Sequence, residues 1–145
     1  MSRIVKSIQI DAPQDQVFTY AADVDKQAEW VVFIKEIKVT SGDGQSRGTT
    51  DRCVAKLGLR TQVLEAEWTE FRPPDSFGRR ITSGAKMEGR IAFAPQDGGT
   101  RVQWNISYKA PHGMLGSLVD VFFMNRVFQN EVEESLENLK KALEA

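Results

Sequence analysis

The stretch SLVDVFFMNRVFQNEVEESLENLKKALE, residues 117–144, decides the fold. It lies in the longest run of the chain without proline or glycine and reads as one long helix. In its second half Val132, Leu136, Leu139 and Leu143 recur by threes and fours, the period of an amphipathic helix. Its first half is more apolar. Leu118, Val119, Val121, Phe122, Phe123, Met124, Val127 and Phe128 cannot all share one stripe. Ser117 followed by Asp120 has the form of a capping box, in which a hydroxyl and a carboxylate satisfy the orphan amides of the first turn. At 1.5 Å per residue the helix spans roughly 42 Å. A helix of that length needs an apolar floor, and the rest of the chain must supply it.

The floor is a set of strands. Residues 3–11 alternate, with Ile4, Ile8 and Ile10 separated by polar side chains, as in a half-buried strand. Pro13 then opens a short helix whose apolar face is Val17, Phe18, Ala21 and Val24. It breaks near residues 23–25, and a second short helical stretch runs to Trp30. The apolar run 30–34 leads into a strand over 36–41. Turn signals then recur at Gly42-Asp43-Gly44, Leu57-Gly58-Leu59, Pro73-Pro74-Asp75, Ser83-Gly84 and Gln96-Asp97-Gly98-Gly99. Between them the strand-like runs 49–56, 61–71, 77–82, 87–94 and 100–109 form antiparallel hairpins. Strands and helices are segregated, which predicts an α+β domain spanning 1–145, with about seven strands and two short helices after the first.

Alternation assigns faces. Val102, Trp104, Ile106 and Tyr108 share the covered face of the last strand. Met87, Gly89, Ile91 and Phe93 are in phase before it, and Leu64, Ala66 and Trp68 earlier still, which sends Glu65 and Glu67 outward. Phe77 and Ile81 share a phase with Arg79 between them, so Arg79 enters the covered side. Arg80 then lies outside, within reach of Glu67. A twisted, curved sheet does not press flat on a straight helix. Gly89 and Ala66 favour a gap beneath the helix, and the tryptophans favour filling it.

Composition bounds the function. The 145 residues are 41% hydrophobic and 27% charged, with a net charge of -1. No basic field is present to draw nucleic acid, so no nucleic-acid partner is expected. A single cysteine, Cys53, excludes an internal disulfide and a cysteine-based zinc site. No leader pattern and no 18-residue apolar run occurs, so the expectation is a cytoplasmic protein without a transmembrane segment.

Signatures of catalysis are sparse, and neither metal nor cofactor is expected. The one histidine, His112, lies in a Pro-His-Gly loop with no nucleophile elbow to match it. Cys53 reads as a buried, inert thiol. The Glu65/Glu67 pair reads as a solvated strand face, and Asp23, Asp25 and Glu29 as solvated charge at a helix end. Arg79 is either an anchor for a polar group on an apolar ligand or a side chain that snorkels to the sheet edge. Tyr108 either orients a ligand oxygen or packs as wall. Trp68, Trp104, Met87, Ile91 and Phe93 are core residues on one reading and cavity wall on the other.

Several stretches resemble the polyketide cyclase/dehydrase and lipid-transport branch of the START/Bet v 1-like (SRPBCC) superfamily. They are Ile8-Gln9-Ile10-Asp11-Ala12-Pro13 with Val17-Phe18, Trp30-Val31-Val32-Phe33, Pro73-Pro74, Gly89-Arg90-Ile91-Ala92-Phe93, Gly98-Gly99-Thr100-Arg101-Val102, the segment from Tyr108 to Gly116, and the tail from Glu134 to Lys141. The resemblance implies a helix-grip fold, in which a curved sheet wraps the C-terminal helix around a cavity for a hydrophobic small molecule. On that reading Val119 and Phe122 roof the cavity. Three functions follow as expectations. The first is a carrier of a lipid, quinone or polyketide-like molecule. The second is a cyclase/aromatase-like enzyme using Arg79 and Tyr108. The third is an interaction module that forms a homodimer or docks a partner through Phe123, Met124 and Val127.

Overall fold

The computed structural model describes residues 2–57, 60–109 and 118–145, with the backbone alone for 57 and 118–122. The elements run β1 (Ser2–Ile10), α1 (Gln14–Ala22), α2 (Val24–Trp30), β2 (Ile34–Ser41), β3 (Thr50–Leu57), β4 (Arg60–Arg72), β5 (Ser76–Ser83), β6 (Lys86–Gln96), β7 (Gly99–Lys109) and α3 (Leu118–Glu144). The strands form one seven-stranded sheet in the order β1-β7-β6-β5-β4-β3-β2. Every pairing is antiparallel. This is the helix-grip arrangement that the sequence resemblance implies, a single antiparallel sheet with two short helices after β1 and a long C-terminal helix.

The period-2 patterning fixes which face is covered. Along β7, Val102, Trp104 and Ile106 are buried while Arg101 is exposed and Gln103 and Asn105 are half-buried. Registers Ile4↔Ile106 and Ile8↔Val102 carry the same phase onto β1. Leu64, Ala66 and Trp68 are buried on β4, and Arg80 on the outer face approaches Glu67 at 3.5 Å. The β6–β7 turn is the two-residue Asp97-Gly98, with both φ values positive at 51° and 80°. A hairpin link of this length needs left-handed backbone at both positions, which Asp tolerates and Gly adopts without cost.

The short helices follow local chemistry. Pro13 stands at the N-cap of α1, and Asp23 caps α2 by accepting the Asp25 amide at 2.9 Å. The acidic residues near 23–29 therefore include a capping carboxylate. Among the described residues no group of three His, Cys, Asp or Glu is placed to hold a metal ion. No helix among them is long and apolar enough to cross a membrane.

α3 clamps the sheet with its second half. Phe128, Val132, Leu136 and Leu139 are buried in the main core, and Leu143 packs against its edge. Each fully buried aliphatic side chain contributes roughly 1.5–3 kcal/mol. Polar ties fix the helix in register. Lys140 Nζ donates to the Gln9 carbonyl at 2.9 Å, and Glu144 accepts the Asp11 amide at 2.7 Å. Ser135, fully buried, accepts the Val32 amide at 2.9 Å and donates to the Glu131 carbonyl at 2.7 Å. The Asn138 amide donates to the Trp30 carbonyl at 3.3 Å. The expected capping pair Ser117 and Asp120 lies outside the described side chains, as do His112 and the expected roof residues Val119 and Phe122.

Glu131 gives a pH signature. One of its carboxylate oxygens is buried without a hydrogen-bond partner, and burial pushes its carboxyl above the usual range despite nearby Lys35. The folded state therefore holds this proton more tightly than the unfolded chain. The associated stability is fully present below the unfolded pKa and is lost as pH rises through the folded value. Glu131→Gln is expected to flatten that slope and to raise stability at neutral pH by on the order of 0.5–1 kcal/mol, a small gain because the group is partly solvated. Urea denaturation across pH 4–8 checks both.

Candidate functional site

A cavity of about 60 Å³ lies between α2 and the concave face of the sheet. It has room for about four water-sized spheres. α2 and its link to β2 supply Gln27, Trp30, Val31 and Phe33, with Ile34 beginning β2. The sheet supplies Phe77, Gly78, Arg79 and Ile81 from β5, Met87, Gly89 and Ile91 from β6, and Trp104 and Ile106 from β7. The described side chains of α3 do not line it. Their stripe is already spent on the core, and Ser135 and Asn138 hold the α2–β2 link that forms one wall. The small inward residue that leaves room is Gly89. A Cβ placed there would stand 3.4 Å from Trp104 Nε1 and 3.8 Å from Ile106 Cγ1. Ala66 is inward as well but lies outside the lining.

The aromatic side chains are tiered. Trp30 and Trp104 sit with ring centroids 5.5 Å apart, and Phe33 lies 5.9 Å from Trp104. Phe128 of α3 meets Phe33 edge-on at 5.2 Å and Tyr108 at 5.1 Å. Beyond α2, Phe18 packs edge-on against Phe71, Phe77 and Phe93 at 5.3–5.8 Å. These offset contacts are the favoured aromatic geometry.

Arg79 enters the covered side, as the β5 phase requires, and it arrives paired. Its Nε and Nη2 donate to the two oxygens of Asp51 at 2.8 and 2.6 Å. Trp68 Nε1 donates to the same carboxylate at 2.8 Å. Asp51 on β3, Trp68 on β4 and Arg79 on β5 thus form one network across three adjacent strands. The Asp51 side chain is wholly buried, and that of Arg79 is 17% exposed. Burial opposes the charge on Arg79, but the Asp51 carboxylate outweighs it and holds the guanidinium above its usual pKa. Cys53, next inward on β3, lies 3.8 Å from Arg79 Nη2, and burial pushes its thiol up. A bidentate, charge-assisted pair of this kind is what makes a buried guanidinium tolerable.

Four of the nine side chains singled out from the sequence therefore meet at the cavity: Arg79, Met87, Ile91 and Trp104. Three lie elsewhere. Trp68 stacks on Phe71 and serves Asp51, Phe93 belongs to the Phe18 cluster, and Tyr108 donates its hydroxyl to Asn125 of α3. Val119 and Phe122 lie outside the described side chains. Sequence reasoning missed Gln27, Trp30 and Phe33 as lining, and Asp51 as the partner of Arg79. The signal for Asp51 is its phase: it alternates with Cys53 and Ala55 on the buried side of β3, an acid where an apolar residue belongs.

Comparison with known proteins agrees with this architecture. A family model described as polyketide cyclase / dehydrase and lipid transport matches residues 1–144. No curated protein matches the chain in sequence. Among solved structures, TTHA0849 from Thermus thermophilus is similar with a TM-score of 0.83 at 21% identity, covering 98% of this chain and 97% of its own. A START superfamily protein from Mycobacterium smegmatis gives 0.77 at 14% identity over 98% and 97% of the two chains. The Aha1 dimer from Colwellia psychrerythraea gives 0.69 at 16% identity over 99% and 96%.

Proposed function

The chain belongs to the polyketide cyclase / dehydrase and lipid transport family of the START/Bet v 1-like superfamily, and on that premise we propose that it binds and carries a hydrophobic small molecule of lipid, quinone or polyketide-like character in the α2–sheet cavity. The observation that carries the reading is the lining itself: aliphatic and aromatic walls with Gln27 and Arg79 as the polar exceptions. At about 60 Å³ the cavity is smaller than the roughly 150 Å³ in which an apolar site takes up benzene. Even a single ring has to widen it, and Met87, unbranched and rotatable, is the wall residue that yields most easily.

The cyclase-like alternative asks Arg79 and Tyr108 to polarise a substrate oxygen. Asp51 takes Arg79 Nε and Nη2, and the Tyr108 hydroxyl is directed to Asn125. Binding without chemistry is therefore the better fit. Native mass spectrometry of gently purified protein is expected to show a non-covalent apolar adduct. A protein that stays empty and gains no thermal stability from lipids, quinones or polyketides would refute the carrier reading.

A second reading concerns the outer side of α3, where Phe123 is 62% exposed and Met124 and Val127 are half-buried. We propose self-association through this patch, a reading for which the dimeric state of the Colwellia Aha1 structure is a precedent. Light scattering is expected to give a larger mass for the native chain than for Phe123→Asp. Equal masses would remove the proposal.

A further inference from the structure

Resting on the cavity reading above, we propose that the ligand is a neutral apolar molecule carrying a hydrogen-bond-accepting oxygen, received by the indole N–H groups of Trp30 and Trp104, and that carboxylate-bearing molecules are disfavoured. The chain has three tryptophans. Their indole N–H groups differ in one respect. Trp68 Nε1 is committed to Asp51 at 2.8 Å. Trp30 Nε1 is buried, on a residue 1% exposed, and has no acceptor. No described residue accepts from Trp104 Nε1, which lies beside Gly89. Both residues line the cavity, and their rings are 5.5 Å apart; of the two, Trp30 Nε1 is the buried donor without a partner.

An indole nitrogen only donates, so it cannot be satisfied by another donor. A buried donor without a partner carries its full desolvation cost, and a ligand oxygen that accepts from it removes that cost. The described lining contains no carboxylate and no hydroxyl side chain, and the Gln27 amide carries its one side-chain oxygen, so the wall offers donors to a ligand more than acceptors. An aldehyde, ketone, quinone or ester oxygen fits that wall. A carboxylate does not. The positive charge that would neutralise it, on Arg79, already faces the two oxygens of Asp51 in a bidentate pair. A second buried anion would bring uncompensated charge into an apolar site.

The test uses small probes on one ring scaffold: ethylbenzene, acetophenone and benzoate, titrated into uniformly 15N-labelled, 13C-methyl-labelled protein. Acetophenone is expected to move the indole N–H signal of Trp30 or Trp104 downfield while that of Trp68 stays in place and reports an intact fold. Trp30→Phe or Trp104→Phe is expected to weaken acetophenone by about fivefold while leaving ethylbenzene within about twofold, the effect of one net hydrogen bond. Benzoate is expected to bind most weakly. If Met87 and Ile91 methyl signals respond to the probes but neither indole moves, the acceptor proposal is wrong and the cavity reading survives. Equal losses for acetophenone and ethylbenzene in the variants would overturn the acceptor proposal in the same way, as would tighter binding of benzoate. If no probe moves the Met87 and Ile91 methyls, both readings fall.

Discussion

Asp51→Ala is expected to lower folding stability by about 3–5 kcal/mol, the range for removing one partner of a buried ion pair. The mutation takes away both acceptors of the bidentate Arg79 contact and the acceptor of Trp68 Nε1. It leaves a guanidinium on a covered face beside the Cys53 thiol, 3.8 Å from its Nη2. Asp51→Asn is expected to be milder, because one side-chain oxygen still accepts a hydrogen bond. Most informative is the double variant Asp51→Leu/Arg79→Met. Replacing both partners by apolar groups is often neutral or stabilising, so this variant is expected to recover most of the loss. Guanidinium denaturation with a shared slope distinguishes the three. A double variant as unstable as Asp51→Ala would mean that the pair contributes more than its mutual neutralisation.

Gly89→Leu is expected to reduce the affinity of ethylbenzene by more than about tenfold, equivalent to about 1.4 kcal/mol. Gly89 lines the cavity, and the space where its Cβ would stand is bounded by ordinary van der Waals contacts of 3.4–3.8 Å. The added side chain therefore grows into the volume the probe would occupy. The expected stability change is at most about 1–3 kcal/mol, the usual cost of overpacking. Isothermal titration with ethylbenzene, alongside the native chain, checks the affinity. An unchanged affinity in a folded variant would place the binding site elsewhere. Gly78 is no substitute for this experiment. A Cβ there would meet the Gly89 carbonyl at 3.0 Å and Thr69 Oγ1 at 2.9 Å, so the backbone itself would have to move.

The two variants probe features that were unequally visible in the sequence. The strands of the floor were legible because each has one covered face. Val102, Trp104 and Ile106 alternate with polar residues, and the Asp97-Gly98 turn demands left-handed backbone. The clamp was legible for the same reason, since Val132, Leu136 and Leu139 keep one period. The inward turn of Arg79 also followed from phase. Its partner did not, because Asp51 and Arg79 lie 28 residues apart and meet only through the registers of β3 on β4 and β4 on β5. Two irregularities interrupt the second of those registers, at Glu65/Ala66 and Trp68/Glu70. No local pattern encodes them.

The cavity wall was harder still. Trp30, Val31, Phe33 and Ile34 form an apolar run with neither a period of 2 nor one of 3.6, so periodicity assigns them no face. Their direction is set by tertiary hydrogen bonds, from the Val32 amide to Ser135 and from Asn138 to the Trp30 carbonyl. Phe93 shows the converse. Its phase is inward, as expected, but Phe18 and Phe77 occupy that part of the sheet and turn it into core. Phase tells which side of a sheet a residue takes. It does not tell whether that part of the side is filled by a neighbour.

The central claim is that apolar molecules bind between α2 and the concave face of the sheet. Intermolecular nuclear Overhauser effects between protonated ethylbenzene and 13C-methyl-labelled protein test it most directly. The predicted contacts are to the Met87, Ile91 and Ile106 methyls, all of which line the cavity. Contacts confined to exposed methyls such as Val5 and Val63, which are 46% and 45% exposed, would contradict it.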